Sequence, residues 1–260
     1  MDIDNNELNP DLISRGLATR FIGQKIIYFP SLTSTMDAAK KEAQWGAEAG
    51  TVVLAGEQTA GRGRLKRSWL SPEGGLAFSV ILRPNFSYLP YMIMLASLAV
   101  TYGIRSLTGL KPQIKWPNDV LINYKKVCGI LIENDIRKND LKHMIIGIGI
   151  NVNVKVNQLP EIANIATSLS DQLGRQISRA EVLRAMLVEI DRLYSELPQG
   201  ETLFNQWKSN LVTLGQQVQI NMGDKIYTGL AEDVTEDGSL MLRQKDGYLV
   251  KIIAGEVMFK

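Results

Sequence analysis

The nine residues 61–69, GRGRLKRSW, combine the side chains best suited to binding an anion. Their cations are Arg62, Arg64, Lys66 and Arg67. Arginine binds carboxylate or phosphate oxygens through two N–H groups, while Gly61 and Gly63 let backbone N–H groups approach the same anion. Trp69 adds a flat face for a ring. The loop could close over a polyanion that carries a ring. A solvated basic loop explains the spacing equally well, because neither common nucleotide fingerprint is present.

Two strand ends carry the next candidates. Lys115 ends an apolar stretch before a turn that Pro117 makes rigid, so its ammonium group could project into a cleft. A surface lysine beside a turn is the simpler interpretation. Gly147 and Gly149 interrupt another apolar strand, which indicates that something passes close to its backbone. Asn151 follows them and could either contact a ligand or turn the chain.

The remaining polar and reactive side chains have ordinary structural explanations as well. Ser34 and Thr35 stand at a predicted helix start, where hydroxyl groups cap the helix or help its free N–H groups to bind a ligand. Gln58 adds a neutral hydrogen-bonding group before the basic loop. Cys128 lies in an apolar run and is predicted to be a core residue rather than a nucleophile. His143 has no evident carboxylate partner and is not expected to be catalytic.

Composition narrows the classes of function. The 260 residues include 29 basic and 27 acidic side chains. A net charge of +2 does not indicate a protein whose overall charge attracts nucleic acid. One histidine excludes a multi-histidine metal site, and one cysteine excludes an internal disulfide, which fits a reducing compartment. The polar start is no signal peptide, and no apolar run is long enough to span a membrane. We expect a cytoplasmic protein that binds neither membranes nor nucleic acid.

The elements that must position these residues mix helices and strands. Strands are predicted at 25–29, 51–55, 76–82, 113–116, 119–122, 126–133 and 143–150, and helices at 34–46, 91–107, 178–197 and 202–211. Residues 135–141 are predicted to be an exposed loop. After about residue 211 the hydrophobic period changes from 3.6 to 2, and turns rich in Asp and Gly predict a small β-barrel-like unit. The predicted fold is α+β with a mixed sheet, divided into domains 1–211 and 212–260, with residues 1–24 as a polar lead-in.

Seven segments of the chain resemble the biotin protein ligase family. They are SLTSTMDAA, EQTAGRGRLKRSW, SPEGGL, KWPNDV, KKVCGILIE, GIGINVN and ATSL, and they follow the family's order over about residues 25–169. GRGR paired with KWPND is far more specific than either motif alone. The turn-rich C-terminal unit that contains GEV resembles the family's small SH3-like domain. The resemblance implies an α+β catalytic domain with a mixed sheet of the biotin/lipoate ligase type, followed by an SH3-like β-barrel.

The resemblance also implies a two-step reaction. Biotin and ATP would form biotinyl-5′-adenylate and pyrophosphate, with Mg²⁺ accompanying the ATP. A specific lysine of a biotin carboxyl carrier protein would then take the biotin and release AMP. A homodimer is a further expectation. No general base is conspicuous in the sequence, and the first step needs none because biotin is already a carboxylate.

By similarity, particular residues would serve this reaction. Lys115 and Arg64 would act at the junction of carboxylate and phosphate, where two anions meet. Arg62 would hold biotin's carboxylate end, and Trp69 would pack beside the adenylate. The positions expected to contact biotin or the adenylate are Ser34, Thr35, Met36, Gln58, Gly61, Arg62, Gly63, Trp69, Gly129 and Asn151. Met36 stands where many members carry asparagine, so only its backbone could make a polar contact.

Two alternatives stay open. One is a ligase of the same fold for lipoate or another acyl acid, against which the GRGR and KWPND pair argues. The other is a non-enzymatic nucleotide- or RNA-binding module, against which the near-zero net charge argues.

Only 33 residues precede Ser34, too few for the helix-turn-helix domain that some members carry, so an enzyme without repressor function is expected. The 61–69 loop is expected to be mobile without ligand and ordered with it.

Overall fold

The larger of two sheets carries most of the candidate residues. The computed structural model describes residues 8–138 and 140–260. The strands of the larger sheet are β1 (Ile26–Leu32), β2 (Val52–Gln58), β3 (Gly75–Leu82), β4 (Gln113–Lys115), β5 (Asp119–Ile122), β6 (Lys125–Arg137) and β7 (Asp140–Asn151). Their order is β1-β2-β3-β7-β6-β5-β4. β1 pairs with β2 in parallel and all other neighbours are antiparallel, so the predicted mixed sheet is confirmed.

The helices cover both faces of this sheet. They are α1 (Pro10–Ser14), α2 (Thr35–Gln44), α3 (Tyr91–Thr108), α4 (Leu169–Leu173), α5 (Arg179–Ser195) and α6 (Gly200–Ser209). The largely buried α3 packs against α5 and α6 on one face, while α2 packs against β2, β3 and β7 on the other. Ser178 caps α5 by accepting a hydrogen bond from the backbone N–H of Glu181, as its sequence pattern predicts. No helix in the described ranges is both long and apolar enough to cross a membrane.

The second sheet is smaller and wholly antiparallel. Its strands are β8 (Gln217–Met222), β9 (Lys225–Val234), β10 (Leu240–Arg243), β11 (Leu249–Ile252) and β12 (Glu256–Phe259), in the order β11-β10-β9-β8-β12. The first four agree with short strands predicted from the period of 2 at 217–222, 225–233, 240–243 and 248–253. No strand is predicted at 256–259, where β12 pairs with β8 at the other end of the sheet from β11.

The prediction of an exposed loop at 135–141 is wrong. β6 continues to Arg137 and β7 begins at Asp140, so the two strands form one long hairpin. Asp135 pairs with His143, Ile136 with Leu141 and Arg137 with Asp140. Cross-strand pairing outweighs the polar composition that suggested a loop.

The lead-in is less independent than its composition suggests, although residues 1–7 lie outside the described part. Leu8, Ile13 and Ile22 are buried in the main core, and α1 packs against α5. This segment is therefore packed into the main core.

Asp191 of α5 ties the lead-in to the body of the domain. Its carboxylate is 5% exposed and accepts hydrogen bonds from the backbone N–H groups of Arg20, Phe21 and Ile22 at 3.0, 3.1 and 3.1 Å. We expect Asp191→Ala to lower the free energy of unfolding by about 2–3 kcal/mol, because three N–H groups lose a charged acceptor. Asp191→Asn, which keeps one acceptor oxygen, should lose less. Urea denaturation measures both, with exposed Glu161→Ala as the control; equal midpoints in all variants would contradict this role.

Candidate functional site

The basic loop after β2 folds back on itself as a tight hairpin. The N–H of Gly63 donates to the carbonyl oxygen of Arg67 at 2.7 Å, and the N–H of Trp69 donates to that of Gly61 at 2.8 Å. A Cβ atom at Gly61 would overlap the carbonyl oxygen of Trp69, so this closure requires glycine there. The hairpin holds its arginines and Trp69 in a defined arrangement.

A small cavity of about 60 Å³ lies between the start of α2, the loop, β6 and β7. It is lined by most of the residues that the sequence pointed to: Ser34, Thr35, Met36, Gln58, Arg62, Gly63, Arg64, Trp69 and Gly129. Five separate segments of the chain thus supply one site, and the sheet order explains why, since β6 and β7 run side by side beneath the loop.

One end of the small cavity is polar. The Ser34 hydroxyl is buried and makes no hydrogen bond within the described part of the chain. It does not cap α2; instead the Oε1 atom of Gln58 accepts from the N–H and the hydroxyl of Thr35 at 2.8 and 3.1 Å. An unpaired buried hydroxyl is costly, so Ser34 is well placed to bind a polar ligand atom.

The floor of the small cavity is formed by the backbone of glycine residues, and large side chains lie directly over it. Gly129 and Gly149 are paired across β6 and β7, and the indole of Trp69 lies over both: a Cβ atom at Gly129 would be 3.0 Å from the ring, and one at Gly149 would overlap it. Met36 approaches Gly147 in the same way. The glycines predicted to permit a close approach therefore do so for Trp69 and Met36.

Arg64 is held by a neutral side chain. Its Nη1 atom donates to Oδ1 of Asn118 at 2.8 Å, while Nδ2 of Asn118 donates to the carbonyl oxygen of Ile130 at 2.9 Å. Burial lowers the pKa of the Arg64 guanidinium, and nearby Asp119 opposes that shift. Its charge remains available to an anion. Asn118, which the sequence suggested only as a turn residue, is what orients it.

Two lysines lie near Asp119, and only one of the two lines the small cavity. Lys126 lines the small cavity, with Nζ 2.6 Å from Oδ1 of Asp119 and 5.5 Å from the centre of the Trp69 ring. Lys115 lines neither this cavity nor its larger neighbour. Its Nζ atom lies 5.4 Å from the centre of the Phe259 ring, and burial lowers its pKa, against an opposing effect of Asp119. The sequence predicts a role for Lys115 and does not single out Lys126, although KKVCGILIE was among the segments that carried the resemblance.

A larger cavity of about 750 Å³ adjoins the small one. The two share lining residues, namely Arg62, Gly63, Arg64, Asn118, Ile130 and Leu131. Gly61 lines only the larger cavity, together with Asp237, Gly238 and Ile253 of the second sheet. Its volume lies within the range of about 300–1,000 Å³ usual for small-molecule sites.

The second sheet docks directly on the site. Nε1 of Trp116 donates to the carbonyl oxygen of Gly238 at 2.8 Å, and the Arg67 guanidinium pairs with both carboxylate oxygens of Glu256 on β12. The small second sheet therefore packs against the main domain.

Three candidates lie away from both cavities. The Asn151 amide is buried and donates to the carbonyl oxygen of Thr167 at 3.0 Å, so it fastens β7 to the segment before α4 rather than facing a ligand. Cys128 is fully buried, and burial raises the pKa of its thiol, which confirms a core role. His143 is buried, with Nδ1 3.9 Å from Oδ2 of Asp135, its partner across the hairpin.

Trp69 lies over the glycine pair of the small cavity and does not line the larger one. Arg62 forms ion pairs with carboxylates of α2 and β6. Within residues 8–138 and 140–260, no group of three or more His, Cys, Asp or Glu side chains is arranged to hold a metal ion.

Comparison with known families and proteins agrees with this geometry. The Biotin/lipoate A/B protein ligase family model matches residues 28–151, and the biotin protein ligase C terminal domain model matches residues 213–260. The bifunctional ligase/repressor BirA of Bacillus subtilis is 38% identical over 257 residues, which are 96% of this chain and 79% of that protein. The biotin–[acetyl-CoA-carboxylase] ligase of Paracoccus denitrificans is 31% identical over 80% of this chain and 89% of its own length.

A solved structure extends the similarity to the fold. The biotin protein ligase of Aquifex aeolicus in complex with biotin and ATP superposes with a TM-score of 0.79 at 32% identity, covering 91% of this chain and 99% of its own. The site residues, both family models and the extent of these alignments together place the chain in the biotin protein ligase family.

Proposed function

We propose that this enzyme activates biotin with ATP as biotinyl-5′-adenylate and then transfers biotin to a specific lysine of a biotin carboxyl carrier protein. The observation that carries the proposal is the pair of joined cavities with Arg64 in the wall of both. Biotin would occupy the small cavity and ATP the larger one. The two reacting groups would then meet beside the Arg64 guanidinium.

The small cavity suits a bicyclic ring with a polar head. Ser34 and Thr35 offer hydroxyl groups at one end, and Trp69 offers a flat apolar face. A volume of about 60 Å³ is far below that of typical ligand pockets, about 300 Å³ or more, so the loop would have to move outward to admit biotin. This agrees with the prediction that residues 61–69 open and close.

The first step brings a carboxylate to the α-phosphorus of ATP and expels pyrophosphate. Both reactants are anions, so fixed cations must offset their repulsion and the charge that develops during transfer. Arg64 supplies one such charge, and Lys126, held by Asp119, supplies the second. Magnesium would arrive with ATP, since this ion is usually bound through substrate phosphates and one or two carboxylates. Asp237 and Glu133 both line the larger cavity; Glu133 is paired with Arg62, and we name Asp237 for this role.

In the second step the acceptor amine attacks the carbonyl carbon of the mixed anhydride. A carbon–nitrogen bond forms, the carbon–oxygen bond to the phosphate breaks, AMP leaves with that electron pair, and the amine loses a proton. An acyl-adenylate hydrolyses in water, so the loop and Trp69 would also protect it until the acceptor arrives.

Biotin-dependent exchange between ATP and labelled pyrophosphate tests the proposal. The purified chain should exchange label with biotin and not with lipoate, because only the first matches the polar-ended small cavity. Transfer of labelled biotin to a carrier protein would test the second step. Exchange with lipoate alone would establish the acyl-acid alternative, and no exchange with either acid would refute ligase activity.

A further inference from the structure

Arg62 contacts carboxylates from two separate elements. Its Nη2 atom lies 2.9 Å from Oδ1 of Asp37 and its Nη1 atom 2.9 Å from Oε1 of Glu133, while Nη2 also donates to Oε2 of Glu133 at 3.1 Å. We call these three side chains the Arg62 clasp. The clasp joins the basic loop to the first turn of α2 and to β6.

The clasp lies at the edge of the small cavity. Asp37 directly follows Met36, and Glu133 is two residues beyond Leu131; both Met36 and Leu131 line the small cavity, as Arg62 does. The guanidinium therefore bridges the two walls between which the loop must close.

The position of Arg62 is coupled to that of Trp69. Arg62 pairs with Ser68 in the loop hairpin, and the Trp69 N–H donates to the carbonyl oxygen of Gly61, next to Arg62. Holding Arg62 against α2 and β6 therefore also holds the indole over Gly149.

The charges of the clasp argue against a direct role for Arg62 in binding an anion. One guanidinium forms ion pairs with two carboxylates, whereas the Arg64 guanidinium donates its hydrogen bond to the neutral amide of Asn118, with Asp119 acting on it through its charge. The clasp side chains of Arg62, Asp37 and Glu133 are 38%, 48% and 33% exposed. Exposed ion pairs are weak and are screened by salt. Such pairs suit a closure that must be undone in every catalytic cycle.

We propose that Asp37 and Glu133 are positioning residues that hold Arg62, and through it the 61–69 loop, closed over the reaction intermediate. This inference rests on the proposed function and adds that the ion pairs of the Arg62 clasp retain the adenylate. Arg64 and Lys126 would act on the reacting groups, while the clasp sets how long the intermediate stays enclosed.

The test compares the double variant Asp37→Asn/Glu133→Gln with Glu232→Gln. Glu232 forms the same kind of exposed two-point pair, with Arg243, on the second sheet. With biotin and ATP but no acceptor, AMP formation reports escape or hydrolysis of the adenylate. It should rise about fivefold in the double variant, as expected for the loss of two exposed ion pairs, and stay unchanged in the control. Pyrophosphate exchange at saturating biotin and ATP should change little, because neither carboxylate lines the small cavity and only Glu133 lines the larger one, where saturating ATP offsets a change in its binding.

Two further readouts separate the clasp from a merely structural effect. Without ligand, trypsin should cut within residues 62–67 faster in the double variant by about the same factor. Added salt should speed AMP formation in the wild type but not in the double variant, since the screened pairs are already absent.

Equal AMP formation and equal tryptic cleavage in the double variant and the control would overturn the proposal. A lower KM for biotin in the double variant would also overturn it, because that would show Asp37 and Glu133 competing with biotin for Arg62. If the wild type shows no biotin-dependent exchange, the proposed function fails, while tryptic cleavage still reports whether the clasp holds the loop.

Discussion

Arg64→Ala is expected to lower biotin-dependent pyrophosphate exchange by a factor of about 100–1,000, the usual cost of removing one preorganised group that stabilises developing charge. Arg64 lies in the wall shared by both cavities and is aimed by Asn118, so alanine removes its charge from the point where carboxylate and phosphate meet. Arg64→Lys should recover part of the rate, because it keeps the charge and loses the two-point geometry. Arg243→Ala on the second sheet is the control, and a wild-type rate in Arg64→Ala would refute the site.

The same assay ranks the two lysines beside Asp119. Lys126 lines the small cavity and Lys115 does not, so Lys126→Ala should approach the loss seen for Arg64→Ala, and Lys115→Ala should lose less. Both lysines lie near the same carboxylate, which makes each a matched control for the other. The opposite order would return the catalytic assignment to Lys115.

Gly149→Ala is expected to raise the KM for biotin by about 10–100-fold. The added methyl group would overlap the Trp69 indole, which must then leave the floor of the small cavity, and a shift of about 1 Å in a positioning group can cost a factor of about 100. Steady-state exchange at varied biotin measures the effect, and urea denaturation shows whether the variant remains folded.

A double-mutant cycle identifies the cause. If displacement of the indole explains the loss, Gly149→Ala should add little to the effect of Trp69→Ala. Fully additive losses would show that Gly149 acts through the backbone of β7 instead, and an unchanged KM in Gly149→Ala would contradict the close packing of Trp69.

Local patterns in the sequence predict most of the fold. The three- and four-residue spacing of Val182, Met186, Ile190 and Leu193 predicts α5, and the run of apolar residues predicts the buried α3. The two failures have different causes. β12 is a strand because it pairs with β8, a distant segment that local sequence does not reveal. Residues 135–137 and 140–141 are strands because they pair across the end of the β6–β7 hairpin, although their composition is polar.

The same distinction between local and distant information applies to the site residues. Residue types and family motifs identify Ser34, Gln58 and Trp69, because each stands in a recognisable segment. The contacts that decide their roles join distant positions: Arg62 with Glu133 and Arg64 with Asn118 are 71 and 54 residues apart. Such pairings depend on the assembled sheet, and for this reason the local sequence does not reveal the carboxylates that contact Arg62 or the position of Lys126 in the small cavity.

The pairing of loop arginines with carboxylates has a consequence for how substrates arrive. Arg67 faces Glu256, and Arg62 faces Asp37 and Glu133; together with the charge of Arg64, these six charges sum to zero. Beyond the Debye length of about 8 Å they exert little net force. A nucleotide diffusing toward the protein would feel little attraction until it is nearly in contact. Its association rate should therefore depend only weakly on ionic strength, unlike that of a protein that steers polyanions from afar.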